Sequence, residues 1–238
     1  MALQWLEEEW QRGLAVVAHP DDIEYGMALA VAKWTSSGRW IGYVLATAGE
    51  AGIDAMAPAE AGPVRQEEQR RAGAAVGVST VEFLGYPDGV IEAGLGLRRD
   101  LARAIRRHRP EVLFGLNQRL TWGGTTLNMA DHRILGGAVA DAARDAGNRW
   151  IFPELLDEGH QPWAGCRWIA YASSPEPTHM VDVSGHLEAG VRSLEEHRAY
   201  IEGLGTGFDA RRFLSDAARG AGEAAGVELA LTFEVISL

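Results

Sequence analysis

The stretch Leu14–Gly26, LAVVAHPDDIEYG, decides how the fold of this chain is interpreted. Five apolar residues, Leu14–Ala18, predict a fully buried strand of the kind found inside parallel sheets. The strand ends in one imidazole and two adjacent carboxylates, those of His19, Asp21 and Asp22. Because neighbouring anions repel each other, this arrangement costs stability unless a positive charge lies beside them.

Short apolar runs alternate with helical patterns through the first 150 residues. The predicted strands are Leu14–Ala18, Trp40–Thr47, Thr80–Gly85 and Val112–Leu116. The predicted helices are Met27–Trp34, Val64–Gly77, Leu97–Pro110 and Ala130–Gly147. This alternation is typical of parallel βαβ units with right-handed crossovers. It therefore predicts an α/β fold with a Rossmann-like, doubly wound, mostly parallel sheet and helices on both faces.

The C-terminal third of the chain is less regular than the rest. Strands are predicted in WIAYAS, MVDVS and LALTFEVISL, and one helix is predicted in GHLEAGVRSLEEHRAYIEGL. We interpret residues 1–238 as a single domain, in which residues 151–238 complete a Rossmann-like core at 13–150. Two segments rich in turn-forming residues, Ala57–Pro63 and Gln118–Asn128, are expected to be mobile loops.

Composition and charge limit the partners of the chain. Its 238 residues include 33 acidic and 22 basic side chains, giving a net charge of −11. Nucleic acids and anionic lipid surfaces require basic patches, so we expect neither as a partner. The single cysteine, Cys166, excludes an intrachain disulfide and a cysteine-based zinc module. Because the first ten residues do not resemble a secretory signal and no run of 18 apolar residues occurs, we expect a cytoplasmic protein.

Polar side chains follow the predicted strands at their carboxyl ends, where open α/β sheets bind ligands. They are His19, Asp21, Asp22 and Glu24 after the first strand, Glu50 after the second, Asp88 after the third, and Asn117, Asp131 and His132 after the fourth. Because these groups collect at one edge of the sheet, we expect a functional site there. Two carboxylates stand where a dinucleotide site needs a glycine-rich turn, and the G-x-S-x-G motif of serine hydrolases is absent from the sequence.

A divalent metal ion accounts for this group of residues. Imidazole and carboxylate are suitable ligands for Zn²⁺, and a catalytic zinc has three protein ligands and one open position. His19 and Asp22 are three residues apart on a turn and can bend toward one ion, which a distant second histidine could complete. The alternative is that Asp21 or Asp22 caps a helix beginning near Ile23. Capping explains one aspartate but leaves the histidine and the second aspartate unexplained.

The segment AHPDDIEYG resembles the A-H-P-D-D-x-E-x-G motif of the LmbE/PIG-L family of zinc-dependent de-N-acetylases. Further matching pieces occur in the family's order: ATAGEAG, RQEEQRRAGAAVGV, FLGYPDG, DHR, and MVDVS with LEEHRAY. The resemblance covers most of the chain from residue 13 and becomes weaker after about Pro153. It implies a hydrolase that removes an N-acetyl group from an N-acetylglucosamine-type sugar conjugate or a related amide, releasing acetate and a free amine.

The resemblance implies roles for the residues that match the motifs. His19, Asp22 and His132 would bind one Zn²⁺ per chain, although another divalent transition metal also suits these ligands. Asp21 would be the general base that takes a proton from water. The resemblance thus predicts a metal-dependent amidohydrolase.

Substrate binding is implied for three further residues. Arg65 and Asp88 would bind hydroxyl groups of a sugar-like substrate, and Glu50 is a third candidate for that role. The alternative for Arg65 is a surface ion pair with Glu68, three residues along the same helix, which contributes little stability. The alternative for Asp88 is that it only forms the turn of a Pro-Asp-Gly sequence.

One departure from the family pattern concerns the element H-P-D-H, whose first histidine helps to stabilise the oxyanion or to protonate the leaving amine. Met129 occupies that place in this chain. Asn128 is a candidate hydrogen-bond donor to the substrate, and Asp131, which would orient the missing histidine, is a candidate catalytic residue. His179 and His197 are candidate substitutes, although a lone histidine is more often structural.

Two alternative functions stay open at this point. Paired aspartates and histidines can also hold two metal ions for phosphate chemistry, which predicts a metal-dependent phosphoesterase. Such an enzyme needs basic residues to bind the phosphate, and Arg65 is the main candidate. Because Met129 replaces the helper histidine, a non-catalytic sugar-binding family member is the second alternative. We expect a small-molecule partner, and a homo-oligomer is compatible with the sequence. One lysine, Lys33, among many arginines is associated with a bacterial source.

Overall fold

The structure contains one eight-stranded sheet. The computed structural model describes residues 3–205 and 207–238. Its strands are β1 (Gln4–Trp5), β2 (Arg12–Val17), β3 (Trp40–Leu45), β4 (Thr80–Phe83), β5 (Val112–Leu116), β6 (Trp168–Ala172), β7 (His179–Asp182) and β8 (Ala230–Ser237). Its helices are α1 (Asp22–Gly26), α2 (Ala28–Ser36), α3 (Pro58–Ala75), α4 (Leu95–His108), α5 (Ala130–Gly147), α6 (Glu154–Asp157), α7 (Leu187–Leu194), α8 (Arg198–Gly203) and α9 (Ala210–Ala225).

The order of strands in the sheet is β1-β7-β8-β6-β5-β2-β3-β4. All neighbouring pairs are parallel except the two made by β8, which is antiparallel to both β6 and β7. The prediction of a mostly parallel, doubly wound α/β sheet is therefore confirmed. The chain leaves β2 in one direction toward β3 and returns on the other side as β5, so a crevice opens at the ends of β2 and β5, where such sheets bind ligands.

The two faces of the sheet are covered by separate apolar layers, as the alternation along β2 requires. Ala15 and Val17 pack into a core with α1, α2, α7 and α9, whereas Leu14 and Val16 pack into a second core with α4 and α5. Burial on both faces explains why β2 is apolar at consecutive positions. It also holds the end of β2 rigidly, and this end delivers His19 to the crevice.

The predicted loop Ala57–Pro63 is wrong, because α3 begins at Pro58. Proline is favoured at the first helical position, where its missing N–H removes no intrahelical hydrogen bond. The N–H groups of Glu60 and Ala61 then donate to the Ala57 carbonyl. Two prolines and a glycine in six residues suggested a loop, but the buried Ala61 holds this turn against the protein. By contrast, Gln118–Asn128 contains no helix or extended strand, as predicted, and its mobility stays a prediction.

The C-terminal third differs from prediction in its helices. The single helix expected within residues 185–204 is two, α7 and α8, separated by a turn at residues 195–197. The helix α9 was not predicted. Gly222 faces the carbonyl of Glu228, which an added Cβ would meet at 2.6 Å, so close packing of α9 on the chain leading to β8 requires glycine there. In the described part of the chain, no helix is both long and apolar enough to cross a membrane.

Candidate active site

The turn after β2 places the first site residues. The backbone of Asp21 has φ of +88°, in the left-handed region that a residue other than glycine occupies only at a cost. The Asp21 N–H donates to Gln69 Oε1 at 2.9 Å, and the Pro20 carbonyl accepts from the Arg65 guanidinium at 2.7 Å. Buried partners on α3 therefore hold the turn in this strained conformation, which brings His19, Asp21 and Asp22 together.

Three of the predicted residues converge at one point. His19 Nδ1 lies 3.1 Å from His132 Nε2, and the same His132 nitrogen lies 3.1 Å from Asp22 Oδ1. All three side chains are buried, and their nearest nitrogen and oxygen atoms lie within 4.8 Å of one another. His132 comes from the first turn of α5, which follows β5, so the crevice at the carboxyl ends of β2 and β5 brings the triad together.

The triad fits a tetrahedral divalent ion. Zinc bonds of about 2.0–2.2 Å place neighbouring ligand atoms about 3.3 Å apart, close to the two separations of 3.1 Å. The other nitrogen of each imidazole has its own partner: His19 Nε2 lies 3.2 Å from Asp131 Oδ2, and His132 Nδ1 lies 3.0 Å from Asn128 Oδ1. With N–H groups donated outward to these oxygens, both inward nitrogens carry lone pairs, as metal ligands must.

The carboxylates give this point a strongly negative potential. Burial lowers the pKa of His19, but Asp22, Asp131 and Asp88 outweigh burial and raise that pKa to about 12. Burial raises the pKa of Asp22, but His132 and His19 outweigh it and hold that pKa well below its usual range. Three carboxylates within 3.6 Å of the two imidazoles make this point a site for positive charge, which a dication can supply.

The capping interpretation of the two aspartates is wrong. Asp22 Oδ2 accepts from the N–H groups of Ala18 and His19, which precede the helix, at 3.0 and 2.9 Å. Asp21 is the N-cap residue of α1 by position, but its side chain makes no capping hydrogen bond. Both carboxylates are therefore turned toward the site and away from the free N–H groups of the helix.

Asp21 lies beside the triad and is held by a buried cation. Its Oδ2 accepts from the Arg65 guanidinium at 3.0 Å, and Arg65 also donates to the carbonyls of Gly49 and Pro20. Burial raises the pKa of the Asp21 carboxyl to about 7, and the charge of Arg65 opposes this rise. The alternative of a surface ion pair for Arg65 is wrong, because its side chain is buried and contacts Asp21 rather than Glu68.

Asp88 and Glu50 are engaged inside the protein. Asp88 Oδ1 lies 3.1 Å from His19 Nε2, and its other oxygen accepts from the Ala51 N–H at 2.8 Å. Burial raises the pKa of Asp88, but His19 and the Ala51 N–H outweigh it and lower that pKa. Glu50 accepts from the Asp88 N–H at 2.9 Å. Asp88 therefore lines the cavity while supporting His19, and Glu50 supports the Asp88 turn.

The structure contradicts the proposed role of Asn128 as a donor to the substrate. Its side chain is 1% exposed, and its NH₂ group donates to the carbonyls of Asn117 and Arg119 at 2.7 and 3.0 Å. The amide oxygen faces His132 Nδ1, so Asn128 orients His132. The position of Asp131 likewise supports His19: its carboxylate accepts from the N–H groups of Gly89 and Ile91 and contacts His19 Nε2.

The candidate substitutes for the helper histidine do not line the cavity at the site. His197 is completely buried beside Glu24, with His197 Nε2 3.3 Å from Glu24 Oε2. His179 lies on β7, which is far from β2 and β5 in the order of the sheet. Met129 itself lines the cavity and is 51% exposed.

A cavity of about 740 Å³ opens above the triad. Its floor contains His19, Asp21, Asp22, Arg65, Asp88 and His132. Its walls include aromatic residues that sequence reasoning missed: Tyr25, Tyr200 and Phe213. Tyr25 lies within the family motif and could have been noticed there, whereas Tyr200 and Phe213 reach the cavity only through the packing of α8 and α9.

Comparisons with known proteins add to this geometry. The model of the family described as PIG-L, GlcNAc-PI de-N-acetylase, matches residues 14–143. A diacetylchitobiose deacetylase of Thermococcus kodakarensis is 26% identical over 188 residues, which span 78% of this chain and 68% of that protein. The N,N'-diacetylchitobiose deacetylase structure from Pyrococcus horikoshii matches with a TM-score of 0.86 at 23% identity, over 96% of this chain and 85% of that one.

The fold alone does not determine the reaction. The structure of GalB, a 4-carboxy-2-hydroxymuconate hydratase from Pseudomonas putida KT2440, matches with a TM-score of 0.74 at 18% identity, over 95% of this chain and 96% of that one. Together with the family match, the fold and the site define an amide-hydrolysing enzyme, as predicted. Because the family model matches more than half of its residues, the chain belongs to the PIG-L family of de-N-acetylases.

Proposed function

We propose that this enzyme removes the acetyl group from an N-acetylglucosamine-type sugar conjugate, using one zinc ion per chain and releasing acetate and a free amine. The observation that carries the proposal is the convergence of His19, Asp22 and His132 beside the Asp21–Arg65 pair at the floor of one cavity. The relatives named as diacetylchitobiose deacetylases support a sugar of this type.

His19, Asp22 and His132 are the residues we assign to the metal. When bound, zinc supplies Lewis acidity, which acidifies water and polarises the acetamide carbonyl. Asp131 and Asn128 hold the two imidazoles with their ligand nitrogens facing inward. These supporting contacts restrict the imidazole rings before the ion binds, which raises the affinity of the site.

Asp21 is the residue we assign to proton transfer. With a pKa raised to about 7, its carboxylate takes a proton from the attacking water near neutral pH and returns it to the nitrogen as the carbon–nitrogen bond breaks. Arg65 holds one Asp21 oxygen at 3.0 Å, which leaves the other for the water. The Met129 thioether has no proton to donate, so this chain lacks the family's helper group at that position.

The phosphoesterase alternative fits the geometry less well. A second group of possible ligands, His19, Asp88 and Asp131, shares His19 with the triad. Two ions would require the His19 ring to lose both protons and bridge them, and Asp131 and Asp88 already accept from its Nε2. Arg65, the expected phosphate clamp, is already occupied by Asp21.

Acetate release, measured together with bound metal, tests the proposal. We expect acetate from N,N'-diacetylchitobiose or from another N-acetylglucosaminide, one zinc per chain by elemental analysis, and loss of activity in a chelator that zinc restores. Two ions per chain and phosphate release from a phosphomonoester would favour the phosphoesterase instead. Sugar binding by calorimetry without acetate release would favour the non-catalytic alternative. A cytoplasmic location, a bacterial source and a homo-oligomer stay predictions from the sequence.

A further inference from the structure

The walls of the cavity differ chemically from its floor. The floor carries the charged residues described above, whereas the rest of the lining includes Tyr25, Trp122, Met129, Tyr200 and Phe213, which we call the aromatic wall. These residues come from α1, from the segment between β5 and α5, from α8 and from α9. Tyr25 and Trp122 also pack against the core, yet all five residues line the same cavity as the triad.

Ring contacts hold the aromatic wall in place. The rings of Tyr25 and Phe213 meet edge to face, with centroids 5.1 Å apart. Trp122 meets His132 edge to face at 5.4 Å, and the Arg65 guanidinium lies 4.4 Å from the Tyr200 ring centre. The wall is therefore in contact with His132, a proposed metal ligand, and with Arg65, which pairs with the proposed base Asp21. Preordered rings of this kind bind a flat ligand with little loss of entropy.

The wall includes one ring that is partly exposed to solvent. Phe213 is 39% exposed, although its neighbour Leu214 is buried in the core. Leu120 and Leu127, on the same segment as Trp122, are also exposed. A large apolar ring that lines a polar site and is still partly exposed, as Phe213 is, indicates a surface that a ligand covers.

The position of Asp21 and the triad determines which part of a substrate contacts the aromatic wall. If the acetamide reaches Asp21 and the triad, as the proposed function requires, the remainder of the molecule extends along the aromatic wall. Asp21, Asp22 and Asp88 make the floor acidic, and Arg65 is already paired, so an anionic group is disfavoured beside them. A neutral, flat group fits both observations.

We propose that the aromatic wall is a binding subsite for a neutral aryl group attached to the N-acetylamino sugar, so that aryl N-acetylglucosaminides are better substrates than the free sugar. This inference rests on the proposed function. Phe213 determines the preference, because its ring is the exposed end of the wall and lies away from the triad on α9.

The test compares acetate release from three neutral compounds: N-acetylglucosamine, N,N'-diacetylchitobiose and 4-nitrophenyl N-acetyl-β-glucosaminide. We expect kcat/KM for the aryl glycoside to exceed that for the free sugar by about tenfold, and Phe213→Ala to remove most of this preference. Trp150→Ala is the matched control, since Trp150 is an exposed aromatic residue that does not line this cavity. That variant should keep the preference.

Several outcomes would overturn the subsite. A higher kcat/KM for diacetylchitobiose than for the aryl glycoside would assign the wall to a second sugar ring. Equal losses for all substrates in Phe213→Ala would make Phe213 structural. A dimer in sedimentation that Phe213→Ala dissociates would make the wall an interface between two copies.

The failure of the proposed function has a different signature. If no compound releases acetate, calorimetry with the zinc-loaded protein still measures binding. Tighter binding of the aryl glycoside than of the free sugar, weakened by Phe213→Ala and not by Trp150→Ala, would support the subsite in a protein without deacetylase activity. Equal binding of both compounds would refute the subsite as well.

Discussion

Two histidine–carboxylate clusters begin in the same short segment, His19–Glu24, and differ in their access to solvent. His19 and Asp22 meet His132 at the floor of the cavity. Glu24, two residues after Asp22, contacts His197 instead, and both of these side chains are completely buried. Six residues of sequence therefore supply one open cluster and one sealed cluster.

The partners of the carboxylates explain the difference. Both Glu24 oxygens accept from the Gln69 amide, at 3.0 and 3.2 Å, and the Ser193 hydroxyl lies 3.3 Å from one of them. Gln69 in turn accepts the N–H of Asp21, so the sealed cluster supports the residue proposed as the base. A histidine near a carboxylate is thus a metal site only where lone pairs converge and an ion can enter. Where hydrogen bonds saturate the carboxylate, the pair is structural.

The largest expected effect comes from removing a member of the open cluster. We expect His132→Ala to lose zinc, and with it deacetylation beyond detection, because two remaining ligands do not make a catalytic site. Elemental analysis and acetate release measure both effects. His179→Ala, on β7, is the matched control and should keep both. Stoichiometric zinc in His132→Ala would contradict the assignment of the triad.

The next largest effect separates the base from the ligands. Asp21→Asn keeps the triad but cannot accept a proton, so we expect kcat to fall by about 10²–10⁴-fold while zinc stays bound. Steady-state kinetics with parallel metal analysis measures this. Loss of zinc from Asp21→Asn, or native turnover, would show that Asp21 has another role.

The sealed cluster should affect stability rather than metal content. Burial lowers the pKa of His197, but the contact with Glu24 outweighs burial and raises it above the ordinary 6.5. The stabilisation by a protonated His197 is therefore complete below about pH 6.5 and is lost as the pH rises through the higher pKa of the folded state. We expect His197→Gln to lower the free energy of unfolding by about 3 kcal/mol at low pH, with zinc unchanged.

Guanidinium unfolding followed by circular dichroism between about pH 6 and 9 measures this difference. His186→Gln, in the turn before α7, is a control histidine that is only partly buried. The difference in free energy of unfolding between the native protein and His197→Gln should become smaller as the pH rises. A difference in free energy of unfolding that does not change with pH would show that the His197–Glu24 pair is uncharged.

The smallest effect concerns the support of a ligand. Asn128 Oδ1 lies 3.0 Å from His132 Nδ1, so Asn128→Ala should weaken zinc binding by about 10–100-fold. The substitution also removes the donors to the Asn117 and Arg119 carbonyls, so thermal unfolding of the variant is measured alongside. Competition with a zinc chelator measures this affinity. Asn148→Ala, at the end of α5, is the control. An unchanged zinc affinity in Asn128→Ala would show that packing alone, and not the Asn128 amide, orients His132.

Local sequence was sufficient for half of the site. His19, Asp21 and Asp22 are neighbours, and the apolar run before them predicts a strand end, so spacing and chemistry together indicated a metal. His132 is more than 100 residues away; its place after the fourth predicted strand put it at the same edge of the sheet, but only the family resemblance assigned it to the metal. The crossover from β4 through α4 places β5 beside β2 and so brings the two parts together; the strand pattern predicted crossovers of this kind but not the order of the strands.

Other features depend on packing that the sequence does not display. The direction of the Asn128 amide is set by two backbone carbonyls of the segment before it, so a side chain interpreted as a donor to the substrate supports His132. Phe213 lies on α9, which was not predicted, and the orientation of its ring depends on how α9 meets Tyr25. The start of α3 was missed because prolines that usually interrupt helices lie at its beginning.

The pairing of β8 sets the order in which the sheet can be completed. The strand β1 reaches the sheet only through β7, and β7 is joined to β6 only through β8. During synthesis, Gln4–Trp5 and His179–Asp182 can pair with each other, but this pair cannot join the rest of the sheet until Ala230–Ser237 leaves the ribosome. The parallel half of the molecule can assemble early, whereas the other edge closes in a late step of high contact order.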